Sequence, residues 1–341
     1  MKTEIIKIDW HAGAEHELSR AAEILRAGGL VVFPTETVYG LGGDATDPGA
    51  AHKIYAAKGR PSNNPLIIHI ATPDDAGQYA VTNELYFRLA RAFMPGPLTV
   101  ILPKRPIIPK EVTGGLDTVA VRCPSHPVAH ALISMFGRPI AAPSANISGR
   151  PSEYCISDLN GKVDMIIDGG ECDIGLESTI VMIKDNGVVL LRPGAVTYDA
   201  LCCVCENVEL SAAAEGISTS DERPIAPGMM YRHYAPSSPF VLLDGDEASF
   251  IPYVRARRAG GEKCAVICSA DEAQMLGNTD TVLYGNPHDL NMQAHRLFSA
   301  LREADALGCQ VIYARKPPTD GLGLALYNRM IRAASHTIIK I

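Results

Sequence analysis

The chain has 341 residues, of which 47% are apolar and 20% charged, and its formal charge is −7. That length exceeds the ~100–200 residues of one domain, so two globular domains with sizeable cores are expected. The anionic total excludes a global basic field for nucleic acid, so any basic site must be local.

The opening MKTEIIKIDW lacks the basic-then-apolar layout of a signal peptide. No apolar run approaches the ~18 residues of a membrane span, so no membrane association and a cytoplasmic location are expected. Nine cysteines, an odd and scattered set, point to free thiols in a reducing compartment. The first helix is expected over 14–27, because Leu18, Ala21, Ala22 and Leu25 recur at helical spacing before Gly28-Gly29. Residues 30–33 read as a buried strand ended by Pro34, and Asp47-Pro48 caps a second helix that runs to about Lys58. Apolar runs at 66–70, 98–102, 118–121, 140–142, 165–167, 178–183 and 188–191 read as strands, with helical patterns near 84–93 and 127–135. Some strands follow one another through a turn alone, which predicts a mixed rather than wholly parallel sheet covered by helices.

A helix near 198–205 carries Cys202, Cys203 and Cys205. Their spacing fits no zinc pattern, so a buried apolar helix face is expected there. Residues 206–236 are rich in Ala, Ser, Glu, Pro and Gly and read as a linker. Beyond it, strands at 240–243, 265–268, 281–284 and 311–313 alternate with helices at 247–258, 290–306 and 323–334. That rhythm predicts a small parallel-sheet α/β domain.

No P-loop, G-x-S-x-G elbow or H-E-x-x-H pair occurs, and Gly40-Leu41-Gly42-Gly43 fails the dinucleotide fingerprint. Polar residues gather at strand ends instead. Thr35, Glu36 and Thr37 precede an expected glycine-rich turn, and Lys58 and Arg60 precede Pro61. Arg122 closes one strand, Ser144 and Asn146 follow another, and Arg192 closes a third. Separated cations at the ends of strands suit a triphosphate and a carboxylate, since arginine grips such groups bidentately and lysine acts as a point charge. Taken singly, each also reads as an ordinary solvated charge beside a turn. His126 and His130 have the spacing of a metal pair, but a helix opening after Pro127 accounts for them and no third ligand is evident.

Together PTETVYGLG, Lys58-Gly59-Arg60 and Ser144-Ala145-Asn146 resemble the threonylcarbamoyl-AMP synthase family, as do PGPLTVIL, TVAVRCPSHP, GLESTIV and LRPGAVT. The likeness runs over about residues 5–205, and APGMMYRHYAP with the α/β tail extends it to the long, two-domain form. It implies a YrdC-like catalytic domain over 1–206, built on a mixed, twisted, open sheet flanked by helices. A linker and lid over 207–238 and a smaller Rossmann-like α/β domain over 239–341 would follow. It further implies that ATP, L-threonine and bicarbonate or CO2 become L-threonylcarbamoyladenylate and pyrophosphate. That product would feed threonylcarbamoyladenosine formation in tRNA reading ANN codons, through a separate tRNA threonylcarbamoyl transferase.

By this resemblance Lys58, Arg60, Ser144 and Asn146 are catalytic and also contact ATP, joined by Asn64, Thr118, Ser152, Arg192, Tyr231 and His233. Thr35, His69, Arg122 and Ser178 would surround threonine, and Mg2+ would come with ATP and share the phosphate charge, with no protein ligand for it assigned. His69 also reads as a core histidine, and Ser178 as a strand cap. Tyr231, His233 and Tyr234 are expected in a lid, the alternative being a plain tether. Met230 stands where the family commonly carries lysine, which bears on the lid contacts. The rival readings are an RNA-binding, translation-associated module, with weak tRNA contact short of that, and carbamoyl transfer from another donor.

Overall fold

The computed structural model describes residues 2–9, 14–148, 156–217, 225–226 and 234–341. The first sheet is formed by β1 (Glu4–Lys7), β2 (Val31–Phe33), β3 (Gly40–Asp44), β4 (Ile67–His69), β5 (Leu98–Pro103), β6 (Thr118–Arg122), β7 (Ile140–Ala142), β8 (Met165–Asp168), β9 (Thr179–Lys184), β10 (Gly187–Arg192) and β11 (Val208–Leu210). Their order across the sheet is β1-β8-β2-β3-β7-β4-β6-β5-β9-β10-β11. The pairing is mixed, as expected: β4 and β6 run parallel, as do β5 and β9, whereas β5 with β6, β4 with β7 and β9 with β10 are antiparallel.

Alternate residues of these strands enter opposite cores. Val32 and Ile166 face one, and Val31, Phe33, Met165 and Ile167 face the other, under helices Glu15–Arg26 and Pro127–Phe136. Burial on both faces explains why the strands read as unbroken apolar runs. Helix Glu15–Arg26 buries the predicted Leu18, Ala21, Ala22 and Leu25. Helix Pro48–Lys58 starts where Asp47 accepts from Gly49 N and ends at Gly59, whose φ of 61° is left-handed. His126 caps helix Pro127–Phe136 by accepting from Val128 N at 3.2 Å, a structural use of the histidine at the start of the His126/His130 pair.

The second sheet comprises β12 (Phe240–Asp244), β13 (Cys264–Cys268), β14 (Thr281–Leu283), β15 (Val311–Arg315) and β16 (Ile338–Lys340), in the order β14-β13-β15-β12-β16. Every pair in it is parallel, as the strand–helix rhythm predicts. Among the described residues no helix is long and apolar enough to cross a membrane.

Three local expectations need correction. The glycine-rich Gly40–Asp44 segment is a buried strand, not a turn. A Cβ on Gly42 would meet Ile140 Cγ2 and Phe33 Cε1 at 2.7 Å, so neighbouring side chains fill the space that other residues use. The helix after Thr197 stops at Cys202, leaving Cys202 and Cys203 exposed and only Cys205 buried among the three. Finally, β11 lies within the stretch read as linker and pairs in parallel with β10.

The two sheets share a seam. Leu176 and Tyr234 join the second core, and Val38 and Ile174 pack against it. Arg302 of helix Leu290–Ala306 pairs with Asp158 at 3.0 Å.

Candidate functional site

The strand ends converge on one buried cavity of about 40 Å3, lined by Thr35, Arg60, His69, Arg122, Ser144, Ser178 and Arg192 together with Val38, Tyr39, Gly40, Glu177 and Tyr234. Sheet register brings these residues together. His69 ends β4 directly opposite Arg122 of β6, and Thr99 of β5 faces Arg122 from the other side. Thr99 Oγ1 in turn lies 2.7 Å from Ser178 Oγ, just before β9. Arg192 at the end of β10 donates from Nε to Ser178 O at 3.0 Å and from Nη2 to Ser178 Oγ at 3.1 Å.

The loop between β2 and β3 closes one side. Thr35 Oγ1 donates to Val38 O at 2.6 Å and accepts from Thr37 N at 3.2 Å, which folds the Thr-Glu-Thr segment back on itself. Arg122 Nη2 reaches Thr35 Oγ1 at 3.5 Å and sits 2.8 Å from Glu36 Oε1. Arg122 and Glu36 thus form a buried ion pair. Burial alone would raise the Glu36 carboxyl, but Arg122 holds it below the usual carboxylate range.

A second layer sits one hydrogen bond behind the lining. Lys58 Nζ donates to the carbonyls of Ser144 and Asn146, and to Asn146 Oδ1 at 3.3 Å. Ser144 Oγ donates to the same Oδ1 at 2.6 Å. Arg60 Nη2 donates to Asn64 Oδ1 at 2.6 Å and to Pro65 O at 3.0 Å. Burial lowers the Arg60 and Arg192 guanidinia to about 10, which leaves both cationic at neutral pH. His69 is lowered to about 3, first by burial and then by Arg122, so its ring is neutral there.

The arrangement is a water-poor pocket with fixed positive charge and hydroxyls on several walls, suited to two anionic groups held side by side. Its cations already contact internal partners such as Asn64, Glu36 and Ser178. A ligand must exchange those contacts.

Residues 23–194 match the protein family described as Telomere recombination (Sua5, YciO, YrdC), and residues 196–335 match the family described as Threonylcarbamoyl-AMP synthase, C-terminal domain. A threonylcarbamoyl-AMP synthase of Pyrococcus abyssi is 43% identical over 96% of each chain. That of Bacillus subtilis is 40% identical over 95% of this chain and 94% of its own. The chain belongs to the threonylcarbamoyl-AMP synthase family. The crystal structure of P. abyssi Sua5 complexed with L-threonine superposes with a TM-score of 0.90 at 39% identity, over 100% of both chains. Both domains therefore share that family's architecture, and the chain is an enzyme.

Most of the sequence-expected residues are brought together. Thr35, Arg60, His69, Arg122, Ser144, Ser178 and Arg192 line the cavity, and Lys58, Asn64 and Asn146 bond to lining residues. Thr118 does not line it: it begins β6, four residues from Arg122, about 13 Å away at ~3.3 Å per residue. Ser152, Tyr231 and His233 lie outside the described residues. Tyr234, expected only as part of the lid, lines the cavity while stacking on Phe298 at 5.0 Å between centroids.

Two lining residues with polar side chains, Tyr39 and Glu177, have no role assigned from the sequence. Tyr39 accepts from Gly169 N at 2.9 Å and donates to Gly170 O at 2.7 Å, so it braces the wall. Glu177 is a buried carboxylate whose only sequence signal is its place in GLESTIV, beside Ser178.

Proposed function

We propose that this enzyme is a nucleotidyltransferase that builds L-threonylcarbamoyladenylate from L-threonine, bicarbonate or CO2, and ATP, with pyrophosphate leaving. The threonine amine adds to CO2, or to bicarbonate with loss of water, giving a carbamate. A carbamate oxygen then attacks the α-phosphate of ATP, forming the acyl-phosphate bond and breaking the bond to pyrophosphate. The reactants carry both nucleophile and leaving group, so the protein's task is positioning and charge stabilisation.

In this reading Arg122 takes the threonine carboxylate, with Thr35, His69 and Ser178 around it. Lys58, Arg60 and Arg192 meet the phosphates, with Asn64 orienting Arg60, and Ser144 and Asn146 meet the nucleotide and reacting carbamate. Thr118 and Ser152 would add lesser nucleotide contacts. The site's carboxylates do not make a metal cage: Glu36 lies against Arg122 and Glu177 against Arg329. In this reading Mg2+ comes with ATP. Residues 1–206 are the catalytic domain and 239–341 a supporting domain. Of the 207–238 segment, β11 belongs to the catalytic sheet, and the part beyond it, with Tyr231 and His233, would serve as the lid. The product passes to a tRNA threonylcarbamoyl transferase.

The observation that carries the proposal is that Arg60, Arg122, Ser144, Ser178 and Arg192 share one buried cavity in a chain so similar to synthases along its whole length. The test is to incubate the protein with ATP, bicarbonate and isotopically labelled L-threonine and weigh the nucleotide product. A labelled threonylcarbamoyl-AMP mass is expected. ATP left unconsumed, together with salt-steep RNA binding, would sink the proposal in favour of the RNA-binding reading.

A further inference from the structure

Helix Gly321–Ala333 of the second domain carries Arg329 into the first, where it is 0% exposed. Its Nε donates to Glu177 Oε2 at 3.1 Å and its Nη2 to Glu177 O at 3.3 Å. Its Nη1 donates to Pro193 O at 2.6 Å. These acceptors are the neighbours of two site residues: Glu177 precedes Ser178, and Pro193 follows Arg192. One guanidinium therefore fastens together the two backbone segments that present Ser178 and Arg192 to the cavity.

The same segments are pressed together from within, since a Cβ on Gly194 would meet Thr179 N at 2.6 Å. The helix itself is anchored beside them. Asn328 Nδ2 donates to Ala213 O at 2.8 Å and Ala214 O at 3.0 Å, and Arg332 Nη2 donates to Ala213 O at 2.9 Å.

Charge adds a second constraint. Glu177 lines the cavity as a buried carboxylate. Burial would raise its pKa, yet Arg329 foremost and then Arg192 hold it below the usual range. With Arg329 present, the carboxylate is balanced from the second domain. Without it, that charge acts on Arg192 unopposed by Arg329 and competes with any anion for the Arg192 guanidinium.

We propose that Arg329 is a positioning residue supplied by the second domain: it holds Ser178 and Arg192 in place and balances Glu177, so the site is complete only with both domains joined. This rests on the reading above that the cavity binds ATP and threonine. It assigns the second domain a direct part in substrate affinity.

The experiment compares the full-length protein with its Arg329→Gln, Arg329→Lys and Arg329→Gln/Glu177→Gln variants. ATP and L-threonine affinities are measured by calorimetry, KM and kcat by pyrophosphate release, and folding by thermal melting. Arg329→Gln should weaken ATP and threonine binding at least tenfold, with KM rising more than kcat falls. Arg329→Lys, which keeps the charge but not the three-way geometry, should fall between Arg329→Gln and wild type. Removing both charges should recover the part of the lost affinity that the unbalanced carboxylate causes, which a merely structural role would not allow. Wild-type affinities in folded Arg329→Gln or Arg329→Lys overturn the proposal, as does a double variant no better than Arg329→Gln. Failure of the wild type to make the adenylate defeats the functional reading instead, because the affinity comparison stands apart from turnover.

Discussion

Arg60 is buried, with Nη2 on Asn64 Oδ1 and Pro65 O, so its guanidinium is aimed before any substrate arrives. Preorganised donors of this kind act without reorganisation in a site that excludes water. Replacement of Arg60 by alanine should therefore lower kcat for pyrophosphate release by about 10²–10³, or roughly 2.7–4 kcal/mol. A variant that releases pyrophosphate at the wild-type rate would remove Arg60 from the reaction. His69 gives a prediction of the opposite kind, about stability. Its folded pKa of about 3 lies below the ordinary histidine value of 6.5, so between those values the unfolded chain binds the extra proton. Stability thus rises with pH through that window and is lost on acidification, with His69 contributing a slope of up to about 1.4 kcal/mol per pH unit. His126 and His336 are lowered too, by burial first, and share the acid-side loss. Urea titrations from pH 4.5 to 7 should show a shallower slope for His69→Gln than for wild type; equal slopes refute the assignment. At this scale the sequence displays the cations and hydroxyls because they stand at strand ends beside prolines and glycines. It hides their partners, since Glu177 meets Arg329 across 152 positions and no local pattern encodes such a pairing.

The elements that are legible are those whose own side chains dictate them. Helix Glu15–Arg26 carries its apolar stripe, and helix Pro48–Lys58 carries both an Asp-Pro start and a glycine stop. Strands β5, β9 and β10 are apolar runs long enough to stand out. The ones that escape notice are decided by neighbours. Strands β1, β11 and β16 are three or four residues long and largely exposed, so they carry little apolar signal. Helix Ala270–Met275 is also short, although Ser269 and Glu272 form its capping box. Strand β3 is the instructive case, because glycines normally mark turns. Here they admit Phe33 and Ile140 against the backbone and hold the next strand, β7, in register, with Gly40 bridging to Ser144. Gly42→Ala adds a methyl group 2.7 Å from two core side chains. Such overpacking costs about 1–3 kcal/mol, more than the ~0.4–1 kcal/mol that a glycine-to-alanine change returns through the unfolded chain. A lower urea midpoint at unchanged slope is the expected result; an unchanged or higher midpoint would show that the strand tolerates a side chain there.

On the scale of the whole molecule, composition and rhythm reveal two α/β units, but not that the second closes against the first around the cavity. That closure depends on side chains far apart in sequence: Leu176 in the second core, Arg302 on Asp158, and Tyr234 on Phe298. Tyr234 belongs to the segment 207–238 proposed as the lid. It is buried at φ 67° and stacks on the second domain's long helix while lining the cavity from the first. A ring held between the second domain's helix and the cavity wall would anchor the proposed lid. Burial raises its phenol to about 12, so the hydroxyl stays neutral at every working pH and the ring's contacts do not titrate. Tyr234→Ala removes the stacked ring, whereas Tyr234→Phe keeps it and loses only the hydroxyl. If the segment retains a hydrolysable acyl phosphate, the alanine variant should release it early. Free AMP would then form severalfold faster relative to threonylcarbamoyl-AMP, and the phenylalanine variant should stay close to wild type. Following both nucleotides through a single turnover measures this ratio. An unchanged ratio in folded Tyr234→Ala would mean that residues 207–238 only tether the two domains, and that the adenylate is protected by the cavity walls themselves.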